Sequence, residues 1–258
     1  RLIVQMIIGA AALYRWNTGI TTITRENTEI ILPVRIQYGL TIGRFIIFIN
    51  AINRIDGINW LASWTSTIGY ITIFILIDMI VLQHFQDTIT EHMYFILSMT
   101  KTLAITLGFF SFLYSIVEFK PRWLVRDVWT MFYGFSLAYL ALLWWAKIGT
   151  IVVVLSLPLF DAIWTFCHRI FFLKKNPLKG DYTHLHYRLL WMGRSRSEVK
   201  RTIRIFSIVM MILILLQQNS RINKIIIVVL VFVLFFVTQS YIFRIKKKKT
   251  WLDIVKKE

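Results

Sequence analysis

Charge is the first thing this sequence has little of. Only 17% of its 258 residues are Asp, Glu, Lys or Arg, against about a quarter in an ordinary soluble domain. With 57% hydrophobic residues and a mean hydropathy of +0.64, that scarcity excludes a soluble globular domain. Acidic residues are scarcer still: 13 stand against 30 Lys and Arg, a net charge of +17. The excess does not point to nucleic acid, because the cations lie between apolar runs, where the positive-inside rule puts them. Membrane lipids with anionic head groups and phosphate-bearing substrates are the expected partners, and no nucleic acid is. Cysteine is nearly missing. Cys167 stands alone in an apolar run, so it makes no intrachain disulfide and reads as a small core residue. No internal repeat and no signal peptide is visible, and the chain starts at Arg1. It is expected to lack upstream residues.

What is there in quantity is apolar sequence, in runs close to the ~20 residues that cross a bilayer as a helix. The expected fold is all-α, a single polytopic membrane domain over 1–258 with about eight spans. They are placed roughly at 2–15, 37–53, 61–82, 92–117, 128–146, 149–172, 203–217 and 222–243. Arg44, inside the second, should face protein rather than lipid. The connections 118–127 and 173–201 and the tail from Arg244 hold the densest Lys and Arg, whereas 83–91 holds none. Counting spans puts the three rich segments, and 54–60 with them, on one face, which is therefore cytoplasmic.

Polar residues on that face carry the candidate chemistry. Asn50, Asn53 and Asp56 recur at a spacing of three and share one side of a helix end. Amides and a carboxylate there suit a sugar, a nucleotide or the support of a metal, although Asn, Asp and Gly57 also make ordinary caps and turns. Asp127 opens an apolar run, either as an N-cap or as a hard-cation ligand, since Mg²⁺ takes one or two carboxylates with substrate phosphate oxygens. The stretch 176–188 holds Asp181, His184, His186 and Arg188. The two histidines converge if the loop is extended. With no cysteine or third histidine beside them, zinc is not expected. Imidazoles and strong cations suit a diphosphate or a lipid phosphate. Asp161 and His168, seven apart, share a face of the sixth run, in a functional or an ion-pairing role.

These segments, in this order, resemble the polyprenyl-phosphate N-acetylhexosamine-1-phosphate transferases, which start O-antigen, teichoic acid and enterobacterial common antigen synthesis. Asn50-Ala-Ile-Asn53-Arg-Ile-Asp56-Gly57 is similar to that family's N-A-x-N-x-x-D-G-x-D-G. Pro158-Leu-Phe-Asp161 resembles its P-x-x-D. Asp181-Tyr-Thr-His184-Leu-His186-Tyr187-Arg188 resembles its D-x-x-H-x-H-H-R. Arg126 to Phe135 keeps the Asp, Phe, Gly and final Phe of its G-D-x-G-S-x-F-x-G-F. Asn59-Trp60 stands where the family has a second D-G, Trp129 replaces a glycine, and Tyr187 replaces a histidine. The family's paired aspartates belong just before the first span, ahead of the start of this chain.

The resemblance implies transfer of N-acetylhexosamine-1-phosphate from a UDP-N-acetylhexosamine to a polyprenyl phosphate, initiating cell-envelope glycan synthesis. Asp127 would bind Mg²⁺. His184, His186 and Asp56 would be catalytic, and Asn50, Asn53, Arg188 and Asp181 would bind substrate. A homodimer is a further candidate assembly. The rival expectation is a non-catalytic relative acting as a membrane binding or scaffold protein. A transporter would need paired interrupted spans, which the sequence lacks.

Overall fold

The structure, a computed structural model, describes residues 5–7, 9–11, 22–25, 28–58, 60–84, 90–117, 126–143, 148–171, 174, 184–217 and 221–246. The first expected span is seen only at 5–7 and 9–11, both helical. One departure from an all-α fold follows: strands β1, Thr22–Arg25, and β2, Thr28–Ile31, pair antiparallel from Thr22 opposite Ile31 to Arg25 opposite Thr28. Both are rich in Thr and Ile, whose branched β-carbons suit extended backbone.

Helix α1, Val34–Ile55, begins after Pro33, whose fixed φ of −54° suits a helix entrance. The Pro33 carbonyl accepts from Ile36 and Gln37 at 2.8 and 3.1 Å. Its buried side carries Thr41, Arg44, Phe45, Phe48, Ile49 and Ile52, the three-and-four spacing of one helical stripe. That stripe packs on α4, Arg126–Leu143, where the Phe45 and Phe135 rings stack at 5.3 Å. Arg44 faces protein, as expected, and donates to the Ala138 carbonyl at 3.0 Å.

Helices α2, Leu61–His84, and α3, Glu91–Val117, meet along small residues. The buried side of α3 is Thr100, Ala104, Gly108, Ser111 and Ser115, which lets the backbones approach and trade hydroxyl bonds in an apolar setting. Ser111 donates to the Ser63 carbonyl at 2.8 Å, and Thr67 donates to Ser111 at 3.0 Å.

The sixth expected span, 149–172, is two helices: α5, Ile148–Val154, and α6, Ser156–Phe171. Pro158 explains the break. It has no N–H for the Val154 carbonyl and its ring crowds that oxygen, so the chain turns at Leu155. A short helix α7, Leu185–Trp191, is followed by α8, Arg196–Leu216, and α9, Arg221–Lys246. Ser195 and Glu198 form a reciprocal capping box that starts α8. The expected span 203–217 is thus the later part of a longer helix. One core cluster is centred on Phe45, Ile49, Ile52, Leu137 and Ala138. A second joins Ile68, Val153, Phe160, Ile214 and Phe235.

Among the described residues, Leu61–Met79, Glu91–Val117 and Ile222–Gln239 are long and apolar enough to cross a membrane, and Asp127–Leu143 is a shorter apolar helix. The expectation of eight spans is met only in part. The outer sides of α3 and α9 expose Phe109, Phe110, Leu234 and Val237, far more apolar surface than water tolerates. The chain is a helical membrane protein.

Candidate active site

The end of α1 carries the motif Asn50 to Gly57, and a glycine on α4 sets what it meets. A β-carbon at Gly134 would lie 2.5 Å from the Ile49 α-carbon and 2.8 Å from the Phe48 carbonyl oxygen. Only a residue without a side chain permits that approach. One turn past Ile49 along α1, and one to two turns before Gly134 along α4, the polar residues therefore face each other. Asn53 Nδ2 donates to Thr130 Oγ1 at 2.8 Å and, at a longer 3.4 Å, to Asp127 Oδ1. Asp127 is exposed. Asn50 does not join this edge: its Nδ2 donates to Gln5 Oε1 and to the Ile46 carbonyl, each at 2.8 Å. Asp56 ends α1 as its C-cap and is buried.

The second group is built on Asp161 of α6. Its carboxylate accepts the Leu185 N–H at 2.9 Å, His184 Nδ1–H at 3.0 Å and the Arg188 guanidinium. One buried carboxylate thus gathers the start of α7 and two cationic or polar side chains, the condition under which such a charge is tolerated away from water. Thr165 Oγ1 lies 3.5 Å from the same His184 nitrogen. Asp161, His184, His186 and Arg188 are all buried.

The two histidines do converge, by a mixed geometry. His184 is extended, with φ −69° and ψ 158°, while His186 sits in the first turn of α7. Their rings stack 6.0 Å apart at 12°. His186 is 1% exposed and its Nε2 has no hydrogen-bond partner among the described residues. Burial pulls its pKa down to about 3, the nearby His184 and Arg188 add to the fall, and Asp161 opposes it. His186 is therefore neutral.

The two groups meet through the turn after α1. A β-carbon at Gly57 would overlap His186 Nε2 and lie 2.7 Å from the Tyr187 hydroxyl, so this turn seats on α7 only as glycine. Tyr187 donates weakly to the Gly57 carbonyl at 3.5 Å. The 50–57 motif, Asp127 and the histidine segment thus share one end of the bundle. Asp181 lies outside the described residues.

Sequence spacing put Asp161 and His168 on one helical face; both lie on α6, where His168 stacks on Trp164 at 6.1 Å and Asp161 turns to residues beyond the loop. Thr130 was missed as a partner of Asn53. A small polar residue three positions after a helix-opening Asp is the signal that could have found it. Among the described residues no three of His, Cys, Asp and Glu group as a metal set, so a cation at this edge would rest on Asp127 and take its remaining ligands from substrate and water.

The glycosyl transferase family 4 profile matches residues 1–145. Over 167 residues the chain is 31% identical to a Bacillus subtilis (strain 168) protein described as "Probable undecaprenyl-phosphate N-acetylglucosaminyl 1-phosphate transferase". The aligned part is 61% of this chain and 42% of that relative. The chain therefore spans about two fifths of the length of the curated relative it matches.

Proposed function

The chain belongs to glycosyl transferase family 4, and on that premise we propose that it takes part in moving N-acetylhexosamine-1-phosphate from a UDP-N-acetylhexosamine to a polyprenyl phosphate. In this reaction an acceptor phosphate oxygen attacks the sugar-side phosphorus of the donor. The bond to the UMP oxygen breaks, and the sugar remains on a lipid diphosphate. Protein groups in such a transfer mainly position reactants and neutralise charge. The observation that carries the reading is Asn53 held between Thr130 and Asp127, at the same bundle end as the Gly57–His186 contact.

A hard cation fits this edge. Asp127 supplies one exposed carboxylate, and Mg²⁺ is typically held by one or two carboxylates plus substrate phosphates and water. When bound, the ion would neutralise charge developing on the diphosphate. Asn53 orients the Asp127 carboxylate through its amide, and Thr130 holds Asn53 from the other side. Asp161 spends its acceptors on His184, Arg188 and the start of α7. These residues therefore orient the short helix against Gly57, and Asp56 stands in the chain between Asn53 and Gly57 as the C-cap of α1. We assign this end of the bundle to the cytoplasmic face, where the cation-rich connections belong.

The test is Asp127→Asn in the full-length protein, assayed for UMP release with UDP-N-acetylglucosamine and undecaprenyl phosphate across a Mg²⁺ titration. Asn fills nearly the same space as Asp but lacks the charge a hard cation requires. Loss of Mg²⁺-dependent release with unchanged thermal stability is expected. The helix starts at Arg126, so Asp127 lies in its first turn rather than at the expected N-cap, and wild-type activity and Mg²⁺ dependence in the variant would leave it only that first-turn role.

A further inference from the structure

Between Gly57 and α2 the chain holds Trp60 at φ +81°, a left-handed conformation that crowds a β-carbon and is rare for a bulky residue. Among the described non-glycine residues only Lys174 shares a positive φ. Such a conformation persists only where its surroundings over-determine it, and α8 supplies the surroundings. The Arg204 guanidinium carbon lies 4.2 Å from the Trp60 ring centroid and 5.2 Å from that of Trp64. Lys200, one turn earlier, places Nζ 5.5 Å over Trp60. The two indoles stack at 5.6 Å. A cation over an indole face is the strongest of the cation–π arrangements, and here two cations share one ring.

The turn is therefore gripped from two sides by consecutive elements. At its Trp60 end it is stacked under Arg204 and Lys200 of α8. At its Gly57 end it rests on His186 and Tyr187 of α7. We propose that the Trp60–Arg204 stack is a positioning brace. It holds Trp60 in its strained conformation, keeps Gly57 seated over His186, and so sets where Asp56 stands at the candidate active site. Its effect on turnover rests on the transferase reading, whereas its effect on the turn does not.

The experiment reads the turn directly and needs no activity. Full-length protein in detergent micelles is treated with diethylpyrocarbonate, and modification of His186 is followed by mass spectrometry of its peptide. The exposed His92 serves as internal reference. Seated under Gly57, His186 should react slowly in the wild type. Arg204→Met keeps an apolar stem but removes the cation, and should speed His186 modification about tenfold. Arg204→Lys should stay within about threefold of wild type, because the cation is retained. Glycine adopts positive φ without strain, so Trp60→Gly should react like the wild type. Adding Arg204→Met to it should change the rate by less than about twofold. The brace is overturned if Arg204→Met reacts like the wild type, or if it accelerates modification equally in the Trp60→Gly background. Should Arg204→Met fail to fold, its recovery by Trp60→Gly supports the brace, and a double variant that also fails overturns it.

Discussion

Two polar groups sit at one end of this bundle and differ in what surrounds them. Asn53, Thr130 and Asp127 lie across the α1–α4 seam, with Asp127 in solvent. Asp161, His184 and Arg188 lie inside, each less than a tenth exposed. A charge in water interacts weakly with its neighbours and contributes little to stability. A charge removed from water must be matched, and a lost partner leaves the remainder uncompensated. The difference divides labour. The buried group ties the start of α7 to α6 through Asp161, whereas the carboxylate of the exposed edge stays open to solvent.

The comparison breaks most visibly at Asp161. Asp161→Ala leaves Arg188 and His184 buried without their acceptor and the Leu185 N–H unmatched, and should cost about 3–5 kcal/mol. Denaturant or thermal unfolding in detergent measures it, and a variant as stable as the wild type would show that the buried group is not structural. Next in size is Gly57→Ala. The new methyl meets the His186 ring, which is packed and has little room to yield, so about 1–3 kcal/mol is expected together with a displaced turn. An unchanged melting temperature there would mean that the turn does not rest on α7.

A pH series sharpens the same contrast. His186 titrates near 6.5 when unfolded and about 3 when folded. Its folded pKa is the lower of the two, so its contribution is fully present above pH 6.5. It is lost as pH falls toward 3, because the unfolded chain takes up the proton first. From pH 7 to 5 the loss from this residue is about 2 kcal/mol. His186→Gln should flatten the stability profile over that window by this amount, and an identical profile in the variant would contradict a buried neutral imidazole. The smallest effect on stability belongs to the exposed edge. Asp127→Asn should unfold within about 0.5 kcal/mol of the wild type, even as Mg²⁺-dependent transfer is lost. A large destabilisation would place Asp127 with the buried group instead.

Much of the candidate site was legible in the sequence because its residues sit where caps and turns must form. Asn53, Asp56 and Asp127 lie at helix ends, and both histidines flank the start of α7. Chemistry crowded into connections between apolar runs stands out against them. Partnership was less legible. Asp161 and His168 share one helical face two turns apart by arithmetic, yet the buried carboxylate is matched by residues more than twenty positions downstream. Trp60 read as a glycine lost from a motif. Its backbone and the two cations stacked on it come into view only once α8 lies against α2.

Taken alone, the sequence determined that this chain is a helical membrane protein, because hydropathy is a local property that sums along a run, whereas of the eight expected spans only three described helices are long and apolar enough to cross. The break at Leu155 inside the expected span 149–172 came from the structure, although Pro158, which denies one hydrogen bond in a helix, accounts for it. Only the tertiary structure decided which polar groups are buried and which meet solvent. That depends on helices distant in the chain approaching closely, as α1 and α4 do over Gly134, and the cost or freedom of a charge follows from the surroundings so formed.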